Sequence, residues 1–173
     1  NHIIDSKGRS IIDLTTRRAA IDANDLTEIS LENQDIYPFY TLEEQLLIEP
    51  QPQALPEHIA FSRPIPMTLQ EVAVALSHIN TWRKIANGNN EYVLILEDDV
   101  WFQLGFGRKL DKVWKELILD KNTSDKPDLL YLSYSEVKNG AQKTYISDNT
   151  FCPVRGLWYM SGYVLSKKGA QKL

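Results

Sequence analysis

Five apolar or aromatic residues, Tyr92-Val93-Leu94-Ile95-Leu96, run directly into three consecutive carboxylates, Glu97-Asp98-Asp99. No other feature restricts the possible folds as much. Such a run, bounded by polar turns, reads as a strand buried on both faces, and such strands belong to parallel sheets covered by helices. The flanking sequence supplies those helices. Thr68 followed three residues later by Glu71 is a capping box, and Met67 with Val72 forms a hydrophobic staple. Val72, Ala75, Leu76, Ile79, Trp82 and Ala86 then recur at helical spacing, with Asn87-Gly88 as the expected stop.

Downstream, Leu110, Val113, Trp114, Leu117 and Ile118 form a second helical stripe. Leu129-Leu130-Tyr131-Leu132 reads as a second buried strand, and Trp158 to Leu165 as a third, interrupted at Ser161 and Gly162. Ser166 is placed to cap a helix starting at Lys167. Alternating helices and buried strands predict an α/β layered domain.

The chain before Met67 is less regular. Ile11-Ile12 is expected to begin a strand, which Ala19-Ala20-Ile21 continues or follows with another. Residues 36–66 carry Pro38, Pro50, Pro52, Pro56, Pro64 and Pro66, which predicts a long irregular loop with at most a short helix around Leu42–Ile48. Long loops in compact domains often serve as lids or binding loops.

A length of 173 residues fits one domain with a sizeable core, read here as residues 1–173. The net charge of -4 argues against general nucleic-acid binding, which needs a basic stripe. No apolar run is long enough to span a bilayer, and the first residues lack the pattern of a signal peptide. The single cysteine, Cys152, excludes an intrachain disulfide and a cysteine-based zinc cluster. His2, His58 and His78 form no spaced pair. Any metal should therefore be a hard cation, Mn²⁺ or Mg²⁺, held by carboxylates.

Glu97, Asp98 and Asp99 are the obvious candidates. Ligands of open α/β sheets bind beyond the carboxyl ends of the strands. Three adjacent carboxylates repel one another, and a divalent cation relieves that repulsion while suiting a diphosphate substrate. Alternation in extended backbone lets Glu97 and Asp99 share a ligand while Asp98 faces another group. The ordinary alternative is that acidic residues at a strand end solvate the turn or cap the next helix. On spacing alone, phosphotransferases and nucleotidyltransferases fit as well.

Four segments then resemble, in order and spacing, glycosyltransferase family 25, the lipooligosaccharide and procollagen galactosyltransferase type. They are Ala20-Ile21-Asp22-Ala23; Met67-Thr68-Leu69-Gln70-Glu71 with Leu76-Ser77-His78 and Trp82; Leu94-Ile95-Leu96-Glu97-Asp98-Asp99-Val100; and Ser161 to Ala170. Ala23 stands where the family usually has glycine, as do Val72 and Ala73 after Glu71, and Ile11 to Arg18 is a loose echo of the family's first strand.

The resemblance implies a GT-A-like, Rossmann-related nucleotide-sugar-binding domain, of which this chain is a part, with a DxD-like metal site. It implies inverting transfer of a sugar, often galactose, from a nucleotide-sugar donor such as a UDP-sugar to a glycan, lipid-linked or protein acceptor. The family's later acidic segment, a candidate for the catalytic base, falls beyond Leu173, and no residue of this chain is named as the base. A bacterial member would work in the cytoplasm or at its membrane, and a eukaryotic one in the endoplasmic reticulum lumen.

Carried onto this chain, the resemblance makes Glu97, Asp98 and Asp99 metal and diphosphate ligands, with Asp99 foremost. It makes Ser77 and His78 donor-site residues, against the alternative that His78 is a hydrogen-bonded helix residue beside the core. Asp22 fits either a hydrogen bond to the ribose or base, or a turn cap. Trp158, Tyr159 and Tyr163 could present a sugar-stacking face, although aromatics in a strand are more often core. Tyr134, just past the second buried strand, is a candidate for the acceptor. The rival functions are an inactive sugar-nucleotide or glycan-binding module of the same fold, and a metal-dependent phosphoryl-transfer enzyme.

Overall fold

In a computed structural model of the chain, residues 8–26, 36–41, 60–120, 126–136, 143–153 and 157–173 are described. Two short strands, β1 (Phe39–Tyr40) and β2 (Ile65–Pro66), pair antiparallel, and Met67 N–H closes the pair on Pro38 O at 2.8 Å. The two ends of the stretch read as a long irregular loop are thus paired with each other, and residues 42–59 between them lie outside the described residues. Prolines fit there because a two-residue edge pairing asks for few N–H donors. The helix expected around Leu42–Ile48 lies outside the described residues.

Helix α1 (Leu69–Asn87) follows with the predicted capping box fully formed. Thr68 N–H donates to Glu71 Oε2 at 2.7 Å, and Glu71 N–H donates to Thr68 Oγ1 at 3.2 Å. The Thr68 N–H bond holds the Glu71 carboxyl below the usual glutamate range. Val72, Ala73, Leu76 and Ile85 form the buried face. The helix stops at Asn87, and the following Gly88 turns back to extended backbone.

Strand β3 (Tyr92–Leu96) has the predicted bounds. It pairs along its full length with β9 (Gly162–Ser166), whose other edge carries β4 (Leu129–Tyr131). Both pairings are antiparallel, which corrects the expectation of a parallel sheet. A run of apolar residues signals burial on both faces but carries no information on partner direction. The strand with all five residues buried is β9, whereas β3 is half-buried. Gly162, expected to interrupt the last strand, instead begins it. Its carbonyl accepts from Leu132 N–H and Ser133 N–H, and a Cβ there would lie 3.5 Å from Leu96 Cδ2.

Helix α3 (Lys167–Ala170) starts where Ser166 Oγ accepts from Gly169 N–H at 2.8 Å, as the sequence suggested. Ile85, Tyr163, Leu165 and Ala170 make a core cluster, with Trp82, Ala86, Val93, Ile95, Leu129 and Met160 packed against it. Burial of each large member contributes about 1.5–3 kcal/mol. Two further pairings lie between β4 and β9. They are β5 (Ser135–Glu136) with β8 (Leu157–Trp158), and the hairpin β6 (Lys143–Ser147) with β7 (Thr150–Pro153).

The chain divides into two compact units, residues 20–96 with 128–173, which hold everything above, and residues 1–19 with 97–127. In the second, Ile12–Leu14 is a 3₁₀ turn rather than the expected strand, and Ile12 is 72% exposed. Its reversal is set locally, by Thr15 Oγ1 bonding Ile11 O at 2.7 Å and Ser10 N–H bonding Asp13 Oδ2 at 3.1 Å. Helix α2 (Phe106–Trp114) lies in the same unit. It continues into a wider turn over Lys115–Leu119, where Asp120 N–H reaches Lys115 O five residues back. Leu117 and Ile118 of the predicted stripe are buried there.

Two outcomes are expected. A methyl at Gly169 would lie 2.7 Å from Asp128 O, so Gly169→Ala should cost about 1–3 kcal/mol in urea denaturation. Asp128 is held below the usual aspartate range by its hydrogen bond from Lys172 and then by Ser166. A depressed folded-state pKa stabilises above the unfolded value of about 4. That contribution is lost as pH falls through the folded value. Asp128→Asn should therefore flatten the loss of stability below about pH 4, measured as denaturation midpoint against pH.

Candidate functional site

The acidic segment follows the last residue of β3 without a break. Glu97 is half-buried, and Asp98 and Asp99 occupy an exposed turn. Among the described residues, no three His, Cys, Asp or Glu side chains gather so as to hold a metal ion. The three consecutive carboxylates are thus not a closed protein cage. Two hard-oxygen donors on an exposed turn suit a cation that keeps waters and completes its sphere on substrate phosphates, as Mg²⁺ does. Beyond the turn, Phe102 packs on Phe106 with ring centroids 4.8 Å apart, while Trp101 is 95% exposed.

Three donor-site candidates are brought together in the unit built on the sheet. Ser77 Oγ donates to Ala73 O at 2.7 Å, inside α1, and accepts from Ile21 N–H at 2.9 Å. That bond moors the Ala20–Asp22 segment to the helix at the turn carrying His78. The segment belongs to no strand, so the strand expected at Ala19–Ile21 is corrected. Asp22 caps the next 3₁₀ turn, Ala23–Asp25, accepting from Asn24 N–H and Asn24 Nδ2, each at 2.9 Å. This is the turn-cap role weighed from sequence.

His78 Nδ1 lies 2.8 Å from Tyr163 Oη, and Trp82 Nε1–H donates to the same oxygen at 2.8 Å. The imidazole thus takes the hydrogen-bonded position beside the core that was its ordinary reading. Tyr163 is 0% exposed, so its expected role as a sugar-stacking face is corrected: the ring is core, and its hydroxyl joins two residues of α1. Trp82 was read as part of an apolar stripe and of a family-like segment, with no role for its indole N–H. The missed signal was spacing, since His78 and Trp82 are i and i+4 on one helix face and each brings a polar tip that needs a buried partner.

The remaining acceptor candidates lie around β5 and β8. Tyr134, 40% exposed, meets Phe151 of β7 edge-on at 5.7 Å. Tyr145 lies against the same Phe151 ring at 5.9 Å, with Lys143 Nζ 4.8 Å from its centroid. Trp158 pairs with Ser135 through its backbone, and its side chain lies outside the described residues. Tyr159 is 71% exposed and holds φ +73°, a left-handed conformation uncommon for a bulky residue. Strained backbone of this kind clusters at ligand clamps and switch regions. The β6–β7 hairpin and its aromatic contacts escaped the sequence reading because its strands show no clean apolar alternation.

A sequence model of glycosyltransferase family 25, described as an LPS biosynthesis protein family, matches residues 10–173. Relatives include a glycosyltransferase 25 family member of Aedes aegypti, 32% identical over 108 residues, and procollagen galactosyltransferase 1-B of Xenopus laevis, 31% identical over 116. A third, inactive glycosyltransferase 25 family member 3 of Mus musculus, is 31% identical over 108 residues. Each match covers 62% of this chain and 17–18% of the relative, so the chain spans under a fifth of their length. No solved structure matches. On the match across residues 10–173, the chain belongs to glycosyltransferase family 25.

Proposed function

We propose that this chain is part of a GT-A-type glycosyltransferase domain that transfers a sugar, galactose foremost, from a UDP-sugar to a hydroxyl of a glycan, lipid-linked or protein acceptor, with inversion. The observation that carries the reading is the family match together with the carboxylate turn at the end of β3. Asp98 and Asp99, with Glu97, are the residues that would hold Mn²⁺ or Mg²⁺. When bound, that cation offsets the charge of the departing nucleoside diphosphate.

The chain's own groups divide the remaining work. Ser77 fixes the Ile21–Asp22 segment, and with His78 and Asp22 it forms the donor-contacting group. Tyr134 and Tyr159 offer exposed aromatic area with a polar edge, which suits the apolar face of an acceptor sugar. Among the described residues no helix is long and apolar enough to cross a membrane. For a eukaryotic source, the procollagen galactosyltransferase relatives favour the endoplasmic reticulum lumen as the compartment.

Titration with UDP-galactose and Mn²⁺, followed by slow donor hydrolysis, tests the reading. Asp99→Asn should lower metal-dependent hydrolysis by about a hundredfold or more, the scale of losing one charge-stabilising group, without shifting the denaturation midpoint. Wild-type binding without turnover would instead identify an inactive sugar-nucleotide-binding module, and activity on nucleotides lacking a sugar would identify phosphoryl transfer. Ser77→Ala should release Ile21 N–H, seen as faster hydrogen exchange at that amide. The bond is worth about 1 kcal/mol, so donor KM should rise severalfold with the fold retained.

A further inference from the structure

Trp101 and Leu104 are the two most exposed large apolar side chains among the described residues, at 95% and 84%. They stand on one loop, and that loop is anchored from beneath. Val100 and Phe102 are half-buried on either side of Trp101, as alternation in extended backbone requires. Phe102 packs on Phe106, and Phe106 N–H donates to Gln103 O at 3.0 Å. Gly105, at φ +81°, then turns the chain into α2. Local packing thus holds both side chains outward.

Cations gather on the C-terminal side of this tip. A Cβ at Gly105 would lie 3.8 Å from Arg108 Nη2, so the guanidinium folds back over the residue next to Leu104. Lys109, Lys112 and Lys115 are exposed along α2 and its final turn, with Lys112 3.9 Å from Glu116. Residues 106–119 hold four bases and two acids, Asp111 and Glu116, a local balance of +2 in a chain of net charge -4.

We propose that the Trp101–Leu104 tip, with Arg108 and Lys109 behind it, is a docking surface for an anionic lipid bilayer. A buried aromatic contributes about 150–250 Å². Two such side chains fall short of the roughly 800 Å² per partner of a stable protein interface. A membrane interface takes an indole readily, because the ring is apolar and its N–H is polar. Stable attachment needs two signals, such as an inserted apolar group and a basic patch held by anionic headgroups. This loop supplies both.

Asp98 and Asp99 precede the tip and repel the same headgroups, so the attraction comes from the α2 side. Asp99 is two residues from Trp101, within about 7 Å along the chain. Docking therefore brings the carboxylate turn to the membrane surface, within reach of a lipid-linked acceptor. That consequence rests on the reading under Proposed function, whereas the docking surface does not.

The test is co-sedimentation of the chain with vesicles, in the absence of donor and metal. One set is phosphatidylcholine alone, the other phosphatidylcholine and phosphatidylglycerol in equal parts. Wild type should bind the mixed vesicles, leave them as salt is raised, and stay in solution with phosphatidylcholine alone. Burying one large apolar side chain is worth a factor of about ten or more. Trp101→Ser and Leu104→Ser should therefore each lower binding about tenfold, with the denaturation midpoint unchanged. Arg108→Gln combined with Lys109→Gln should weaken binding to the mixed vesicles, and Asp98→Asn should strengthen it. Lipid brominated near the headgroup should quench a part of the tryptophan emission that is missing in Trp101→Leu.

No binding to the mixed vesicles, or equal binding by wild type and Trp101→Ser, overturns the docking surface. Self-association that is lost in Trp101→Ser, without vesicle binding, overturns it too and assigns the tip to a second copy of the chain. Vesicle binding by a protein without donor turnover upholds it and counts only against the functional reading.

Discussion

Strand β9 must satisfy hydrogen bonds on both edges while all five of its residues are buried, and the unit around it is arranged to meet that constraint. β3 and β4 complete its ladder, helix α1 supplies Ile85, Trp82 and Ala86 to its surroundings, and Ser166 turns the chain directly into α3. Its one deeply buried phenol oxygen could not be left unpaired without a large desolvation cost. The pairing with His78 and Trp82 therefore does more than add stability. It fixes the rotational setting of α1 against the sheet, and with it the place of Ser77 one residue earlier on the helix.

The two groups of candidate residues have different physical character. The Asp22–Ser77–His78 group is held by short hydrogen bonds within one unit, and each member has an evident structural reason to be where it is. The Asp98–Asp99 turn is exposed, and among the described residues no three His, Cys, Asp or Glu side chains gather as metal ligands there.

Legibility followed the range of the interactions. Helix α1 could be read from its start at Thr68 to its stop at Asn87 because the capping box and the apolar stripe are both local. The bounds of β3 and the Ser166 cap were legible for the same reason. The direction of strand pairing was not, since Tyr92 meets Ser166 across a sequence separation that periodicity cannot report. Ile11-Ile12 looked like the start of a strand, but the short polar side chains of Ser10, Asp13 and Thr15 bond to nearby backbone and reverse the chain there. Tyr163 was misassigned because an aromatic residue after Ser161-Gly162 looks much the same whether it stacks on a sugar or fills a core. Only the partners of its hydroxyl decide between them.

The order of the main sheet has a temporal consequence. The central position is filled by the segment nearest the end of this sequence, between neighbours at 92–96 and 129–131 that do not touch each other. During synthesis both flanking strands emerge first and wait with unmatched edges, and neither can be completed until residues 162–166 leave the ribosome. Contacts of such long sequence separation form slowly, and transiently bare edges invite wrong partners. The apolar run at 92–96 is therefore most exposed to aggregation as a nascent chain, when the finished molecule's protection for it has yet to be made.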